Sequence, residues 1–226
     1  MTSLSIIIPT YNEKGNISLL STSISTAFDG LNYEIIFVDD GSPDGTVKVI
    51  RSLVGFGKTI KLVERPGKFG LASAAAVGAR AAKGEWVLVM DGDLSHPPEV
   101  ARRLFDSRAR ADLIIASRNI DGSAGHEIST HRDFISNGAE FLSRPFVGNR
   151  TTDPMSGFFL VKKEFFEKTR IRVRGYKILL NLIYDNPQLK ILDVPYIFAA
   201  RHSGKTKLNL MEVINYLFDL VRLIWK

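Results

Sequence analysis

The chain has 226 residues, a formal charge of +6 from 30 Lys and Arg against 24 Asp and Glu, and no cysteine. Its 45% hydrophobic and 24% charged residues suit a globular chain with one sizeable core and exclude a disordered one. The missing cysteines exclude a disulfide-stapled scaffold and a thiolate-held zinc or iron–sulfur centre, and they suit a reducing compartment.

Met1 to Ser5 has no basic segment and Ile6-Ile7-Ile8 stops at Pro9, so no signal peptide is expected. Short apolar runs bounded by Gly, Pro or Asp predict buried strands at Leu4–Ile8, Tyr33–Val38, Ile60–Val63, Trp86–Met90 and Leu113–Ala116. None approaches the roughly 20 residues that span a bilayer. Between them, helices are predicted at Ile17–Phe28 with Asn16 as N-cap, Thr46–Leu53, Leu71–Lys83 and Pro98–Arg110. This alternation predicts an α/β fold with a mostly parallel central sheet flanked by helices on both faces. Past Ser117 the pattern loosens: a Gly-rich loop at 121–125, a helix near Arg132–Phe146, a strand Phe158–Val161, a helix Tyr176–Tyr184 and a strand Leu189–Val194. Residues 208–226 read as an amphipathic helix with a narrow polar stripe and a wide apolar arc. That arc either packs on the domain or lies in a membrane interface. No repeat or low-complexity linker interrupts the chain, so 1–226 reads as a single domain.

Three predicted strand ends carry acids and turn residues. Asp91-Gly92-Asp93 follows Trp86–Met90, and in an extended chain residues i and i+2 share a face, so the two carboxylates would enter one space. They mark either a solvated turn or a site for Mg²⁺ or Mn²⁺ bridging to a diphosphate. Asp39-Asp40-Gly41-Ser42-Pro43-Asp44 ends a second strand, where Asp39 or Asp40 can accept hydrogen bonds from a nucleoside while Asp44 or Thr46 caps the next helix. Pro9-Thr10-Tyr11-Asn12-Glu13 ends a third with an aromatic face and an acid. Together they describe a nucleotide pocket, and the positive excess suggests an anionic partner.

Pro9–Glu13, Val38–Thr46 and Asp91–Pro98 together resemble the inverting glycosyltransferases of family 2, which have the GT-A fold. Asp153-Pro154-Met155-Ser156-Gly157-Phe158-Phe159, Gly175–Leu179 and Arg201–Leu208 narrow the resemblance to the dolichol-phosphate (polyprenol-phosphate) mannose synthases, over nearly the whole chain. The resemblance implies transfer of mannose from GDP-mannose to dolichyl or polyprenyl phosphate, with inversion and with Mg²⁺ or Mn²⁺. It implies that Pro9, Tyr11, Glu13, Val38, Asp39 and Asp40 hold the guanosine, and that Asp91, Gly92, Asp93 and Ser95 serve the metal and diphosphate. By the same token Arg118, Arg132, Arg201 and Lys207, with Ser136, embrace the donor and acceptor phosphates. It divides the catalytic domain into a nucleotide-sugar half (1–117), an acceptor half (118–207) and the terminal helix (208–226). It further implies a membrane surface, on its cytoplasmic face, and an anchoring segment or subunit as partners. Ile128 departs from the Trp common at that position, and Lys205 and His202 are left unassigned.

The chemistry is coherent on physical grounds. A lipid monophosphate is already anionic at neutral pH and needs no general base, only cations to position it beside a diphosphate. Two rivals remain: a polyprenyl-phosphate glucosyltransferase using UDP-glucose, and a non-catalytic nucleotide-sugar-binding module. Nucleic acid is not expected as a partner, since the basic residues form no stripe with interleaved aromatics. Gly57-Lys58-Thr59 and Gly204-Lys205-Thr206 are not phosphate-binding P-loops, because Ser52 and Ala199 stand where the motif needs glycine. His96, before two prolines, is expected to shape its loop, and Phe158, Phe159, Phe165 and Phe166 are expected in the core.

Overall fold

The computed structural model describes residues 2–54, 60–120, 143–170 and 178–197. Seven strands, β1 (Leu4–Thr10), β2 (Tyr33–Asp39), β3 (Ile60–Glu64), β4 (Trp86–Val89), β5 (Leu113–Ser117), β6 (Phe159–Lys162) and β7 (Ile191–Pro195), form one sheet in the order β3-β2-β1-β4-β6-β5-β7. Among the described residues, only β6 runs antiparallel to its neighbours, β4 and β5. The helices are α1 (Ile17–Ala27), α2 (Thr46–Val54), α3 (Leu71–Ala81), α4 (Pro98–Asp106), α5 (143–147), α6 (Lys163–Lys168) and α7 (Ile178–Asp185).

Alternation along the strands sorts the core into two layers. Leu4, Ile6, Ile8, Phe37, Leu88 and Met90 face α1, α2 and α4. Ile7, Ile36, Val38, Val87 and Val89 face α3, α6 and α7. The alanine-rich α3 packs close to the sheet: a Cβ on Gly78 would stand 2.5 Å from Ile7 Cγ2 and 3.1 Å from Val38 Cγ2. Substituting it overpacks the core, which typically costs about 1–3 kcal/mol.

The edge of the sheet where the parallel strands begin is held by a buried polar network. Glu34 accepts from Ser5 Oγ (2.6 Å) and Lys83 N (2.5 Å), and its second oxygen lies 2.6 Å from Lys61 Nζ. Burial would raise the Glu34 carboxyl, but these partners outweigh it and hold it below its ordinary value.

The predicted elements are found with small shifts. Helix α4 stops at Asp106, not Arg110, because Ser107 caps it with its N–H and hydroxyl on Arg103 O. Asn16 stands at the N-cap of α1, but its side chain makes no capping bond and instead donates to Glu13 Oε2 (2.7 Å). Of the expected helix at Arg132–Phe146, residues 143–146 are helical and 132–142 lie outside the described residues, as do the loop 121–125 and the terminal helix 208–226. Among the described residues, no helix is long and apolar enough to cross a membrane.

The strand order fixes where a ligand can sit. From β1 the chain winds outward through β2 and β3, then returns to place β4 on the other side of β1. That reversal leaves a crevice beyond the carboxyl ends of β1 and β4, the customary ligand position in an open parallel sheet.

Candidate active site

The three acid-bearing strand ends are neighbours in space, since β2, β1 and β4 are adjacent. Thr10 pairs with Asp39, and the segment after β4 lies against the end of β1: a Cβ on Gly92 would touch Ile8, Thr10 and Glu13 at 3.4–3.6 Å.

At the β1–β2 end, the acids hold the loops together. Asp39 is fully buried; its Oδ1 accepts from Ser42 N (2.8 Å), and its Oδ2 accepts from the hydroxyls of Ser42 (2.6 Å) and Thr10 (3.1 Å). Three successive N–H groups of the β1–α1 loop then donate across to the β2–α2 loop. Asn12 N donates to Ser42 Oγ (2.9 Å), Glu13 N to Thr46 Oγ1 (2.9 Å) and Lys14 N to Asp44 Oδ2 (3.1 Å). Asp44 Oδ1 also takes the Thr46 N–H and hydroxyl at the start of α2, so the expected cap is present. Burial raises the Asp44 carboxyl, but these bonds outweigh it and hold it below the ordinary range.

Asp40 is bound from the far side. Its Oδ2 accepts from Phe69 N (3.0 Å) and Gly70 N (3.3 Å) at the start of α3, and Arg65 Nε lies 3.0 Å from its Oδ1. The ion pair is close but poorly aligned, so Asp40 Oδ1 and Arg65 Nη1 are buried without a hydrogen bond. Burial therefore pushes the Asp40 carboxyl up, with Arg65 opposing. Sequence reasoning missed Arg65; only its place at the end of β3 marks it. The Val38 side chain is wholly buried beneath α3, because the alternation of β2 turns it inward. Pro9 and Tyr11 are half-buried at the end of β1, and Lys68 Nζ stands 5.1 Å from the Tyr11 ring centroid.

Beyond β4, Asp91 and Asp93 lie in a bent segment past the end of the strand. The strand ends at Val89, Leu94 takes φ +66°, and the chain bends. Asp91 N donates to His96 Nδ1 (2.9 Å), and His96 stacks on Phe158 with centroids 4.6 Å apart, so this histidine shapes the loop as expected. Asp93 is buried, and its Oδ1 takes both the Ser95 hydroxyl (2.5 Å) and the Ser95 N–H (3.1 Å). Ser95 thus orients Asp93. Among the described residues, no group of three His, Cys, Asp or Glu gathers to hold a metal. Two carboxylates of this kind fit Mg²⁺ or Mn²⁺ shared with a diphosphate, and do not fit an all-protein cage. A shallow groove between α4 and β7, lined by Arg103, Arg110 and Leu192–Pro195, contains none of these residues.

Across the crevice, Arg118 follows β5. Its Nε and Nη2 donate to Asp153 Oδ2 (2.8 Å) and Oδ1 (2.9 Å). Burial works against the guanidinium charge, but Asp153 outweighs it and holds Arg118 above its ordinary value. The segment carrying Asp153 also reaches the metal-type acids, since a Cβ on Gly157 would lie 3.9 Å from Asp91 Oδ1. Tyr196, buried against Phe158 and His96, has its phenol pushed up by burial. Of the other predicted cations, Arg132, Arg201 and Lys207 lie outside the described residues, as do Ser136, Ile128, His202 and Lys205.

Residues 5–170 match the family model described as Glycosyl transferase family 2. A protein named dolichol-phosphate mannosyltransferase from Pyrococcus furiosus is 37% identical over 98% of this chain, which spans 63% of that relative's length. Proteins of the same name from Mycosarcoma maydis and Saccharomyces cerevisiae are each 35% identical, over 98% and 97% of this chain and 79% and 86% of their own lengths. Glucosyl-3-phosphoglycerate synthase from Mycobacterium tuberculosis, solved with Mn²⁺, UDP and glucosyl-3-phosphoglycerate, superposes with a TM-score of 0.72. It is 21% identical and covers 99% of this chain and 79% of its own, a likeness of fold.

Proposed function

The chain belongs to glycosyl transferase family 2, and from that premise we propose that it transfers mannose from GDP-mannose to dolichyl or another polyprenyl phosphate, with inversion at the sugar carbon. The reading rests on one juxtaposition: a carboxylate pair at the end of β4, suited to a cation and diphosphate, stands across β6 from an arginine at the end of β5, suited to a second phosphate. The shared name of the relatives favours the mannosyl donor and lipid phosphate acceptor.

In this reading Pro9, Tyr11 and Glu13 border the nucleoside, and Asp39 and Asp40 keep its loops in place. Asp91 and Asp93 would hold Mg²⁺ or Mn²⁺, which when bound supplies positive charge to the departing nucleoside diphosphate. Arg118 meets the acceptor phosphate, joined by Arg132, Arg201, Lys207 and Ser136. An anionic phosphate oxygen attacks the sugar carbon from the side opposite the diphosphate, turning an α-linked donor into a β-mannosyl phosphate. No side chain is required to remove a proton. A lipid acceptor places the protein at a membrane surface, on its cytoplasmic face, with an anchoring segment or subunit.

Incubation with Mn²⁺ or Mg²⁺, a polyprenyl phosphate and labelled GDP-mannose should carry label into the organic phase. Label appearing from UDP-glucose instead would replace the donor. No transfer from either, with nucleotide-sugar binding intact by calorimetry, would make the protein a binding module.

A further inference from the structure

His96 is buried where the segment after β4 meets β5 and β6. Its ring is held on three sides. Nδ1 accepts the backbone N–H of Asp91 (2.9 Å), one face lies on Phe158 with centroids 4.6 Å apart and planes within 10°, and Tyr196 meets it edge-on at 6.2 Å. Both aromatic neighbours are fastened to the strand that leads to Arg118: Phe158 O accepts from Ala116 N (2.9 Å), and Tyr196 N donates to Ser117 O (3.0 Å). From the chain side, Pro97 and Pro98 open α4 directly after the ring, and a proline restricts both its own backbone and that of the residue before it.

The ring acts on Asp91 through the backbone. An Nδ1 that accepts an N–H carries no proton, so the neutral imidazole holds its proton at Nε2. Nε2 stands 3.8 Å from Asp91 Oδ2, longer than a hydrogen bond, so the ring does not clamp the carboxylate itself. One residue earlier, Met90 N donates to Ile7 O (3.2 Å), so the chain is tied first to β1 and then to His96 as it leaves the sheet. Asp93 is oriented separately, by Ser95. A phenyl ring would stack on Phe158 as well as an imidazole does; what the imidazole adds is an acceptor, and that acceptor meets the backbone N–H of the acid.

We propose that His96 is the positioning residue of Asp91: its Nδ1 fixes the peptide from which that carboxylate projects, and its contacts with Phe158 and Tyr196 tie that peptide to the strand leading to Arg118. The proposal deepens the reading of Asp91 and Asp93 as a site for Mg²⁺ or Mn²⁺ and a diphosphate, and rests on it.

Two variants of the whole chain separate the acceptor from the ring. His96→Phe keeps an aromatic face for Phe158 and removes the acceptor; His96→Asn gives up the stack and offers an amide oxygen in place of Nδ1. Mn²⁺ affinity in the presence of GDP is read by electron paramagnetic resonance, and GDP affinity in EDTA by calorimetry. Residues that orient metal ligands typically account for about 10–100-fold in metal affinity, so His96→Phe should weaken Mn²⁺ by about 10-fold or more. Its metal-free GDP affinity should match wild type, and His96→Asn should recover most of the lost Mn²⁺ affinity. Wild-type Mn²⁺ affinity in His96→Phe, or an equal loss in both variants, would overturn the proposal. The metal-free wild type supplies a second readout by ¹⁵N NMR at neutral pH. His96 should show a bare Nδ1 and a protonated Nε2, and the Asp91 amide should exchange slowly, faster in His96→Phe but not in His96→Asn. A proton on Nδ1, or a rapidly exchanging Asp91 amide in wild type, would overturn the proposal even if neither variant folds. Wild type that binds no Mn²⁺ with GDP would overturn the metal reading of the site, while the amide exchange still decides whether His96 holds Asp91.

Discussion

The two banks of the crevice use charge in opposite ways. On the β1–β2 bank, Asp39, Asp40 and Asp44 accept hydrogen bonds from Ser42, Thr10, Phe69, Gly70, Thr46 and Lys14, most of them through backbone N–H groups. Their carboxylates tie loops together. On the β5–β6 bank, one carboxylate, Asp153, meets one guanidinium side on through both of its oxygens. An acid in a shared motif can therefore be tied mainly to backbone N–H groups on one bank and to a guanidinium on the other.

The sharpest break of this contrast is at the boundary, where Asp93 stands between the banks. Asp93→Ala removes a carboxylate suited to the metal and should cut transfer by about 10³-fold or more, judged by the larger losses seen when charge-stabilising groups are removed. Label transfer and Mn²⁺ binding followed by electron paramagnetic resonance should fall together. Retained Mn²⁺ affinity would take Asp93 out of the cation site.

Asp39→Ala tests the scaffold bank. It strands a buried N–H and two hydroxyls, which should cost about 2–3 kcal/mol in urea unfolding. The folded fraction should show a raised KM for the donor and a kcat within about threefold, the pattern of lost uniform binding. A collapse of kcat with unchanged stability would place Asp39 in the chemistry and erase the contrast.

How much of this was legible in the sequence follows from the same distinction. Strand alternation and turn residues gave the layered sheet, because a two-residue period fixes which side chains face each layer. The three acid-bearing segments were legible as strand ends, and the sheet order brought them together. Their partners were not: Asp39 meets Ser42 nearby but also Thr10, 29 residues away, and Asp40 meets the 69–70 turn. The bend beyond β4 that carries Asp91 and Asp93 was not legible either, since the left-handed Leu94 and the His96 bond beside them carry no sequence signal. Arg65 and Asp153 acquire their roles only through contacts far apart in the chain. Asp153 stood within a recognised motif, but nothing in its spacing tied it to Arg118, 35 residues earlier.

A smaller effect sharpens the contrast through pH. Asp44 is exposed, and its carboxyl titrates below its ordinary value because the folded state gives it the Thr46 and Lys14 donors. A carboxylate lowered on folding contributes stability above its unfolded value, near 3.8, and loses it as pH falls through the lower folded value. Solvent screens so exposed a group, so Asp44→Asn should cost only about 0.5–1 kcal/mol at neutral pH. The cost should hold down to about pH 5 and shrink below the ordinary carboxylate range, where wild type loses the same charge. Urea midpoints for both proteins between pH 3 and 7 would measure it. A gap that is independent of pH would mean that Asp44 acts through shape and not charge.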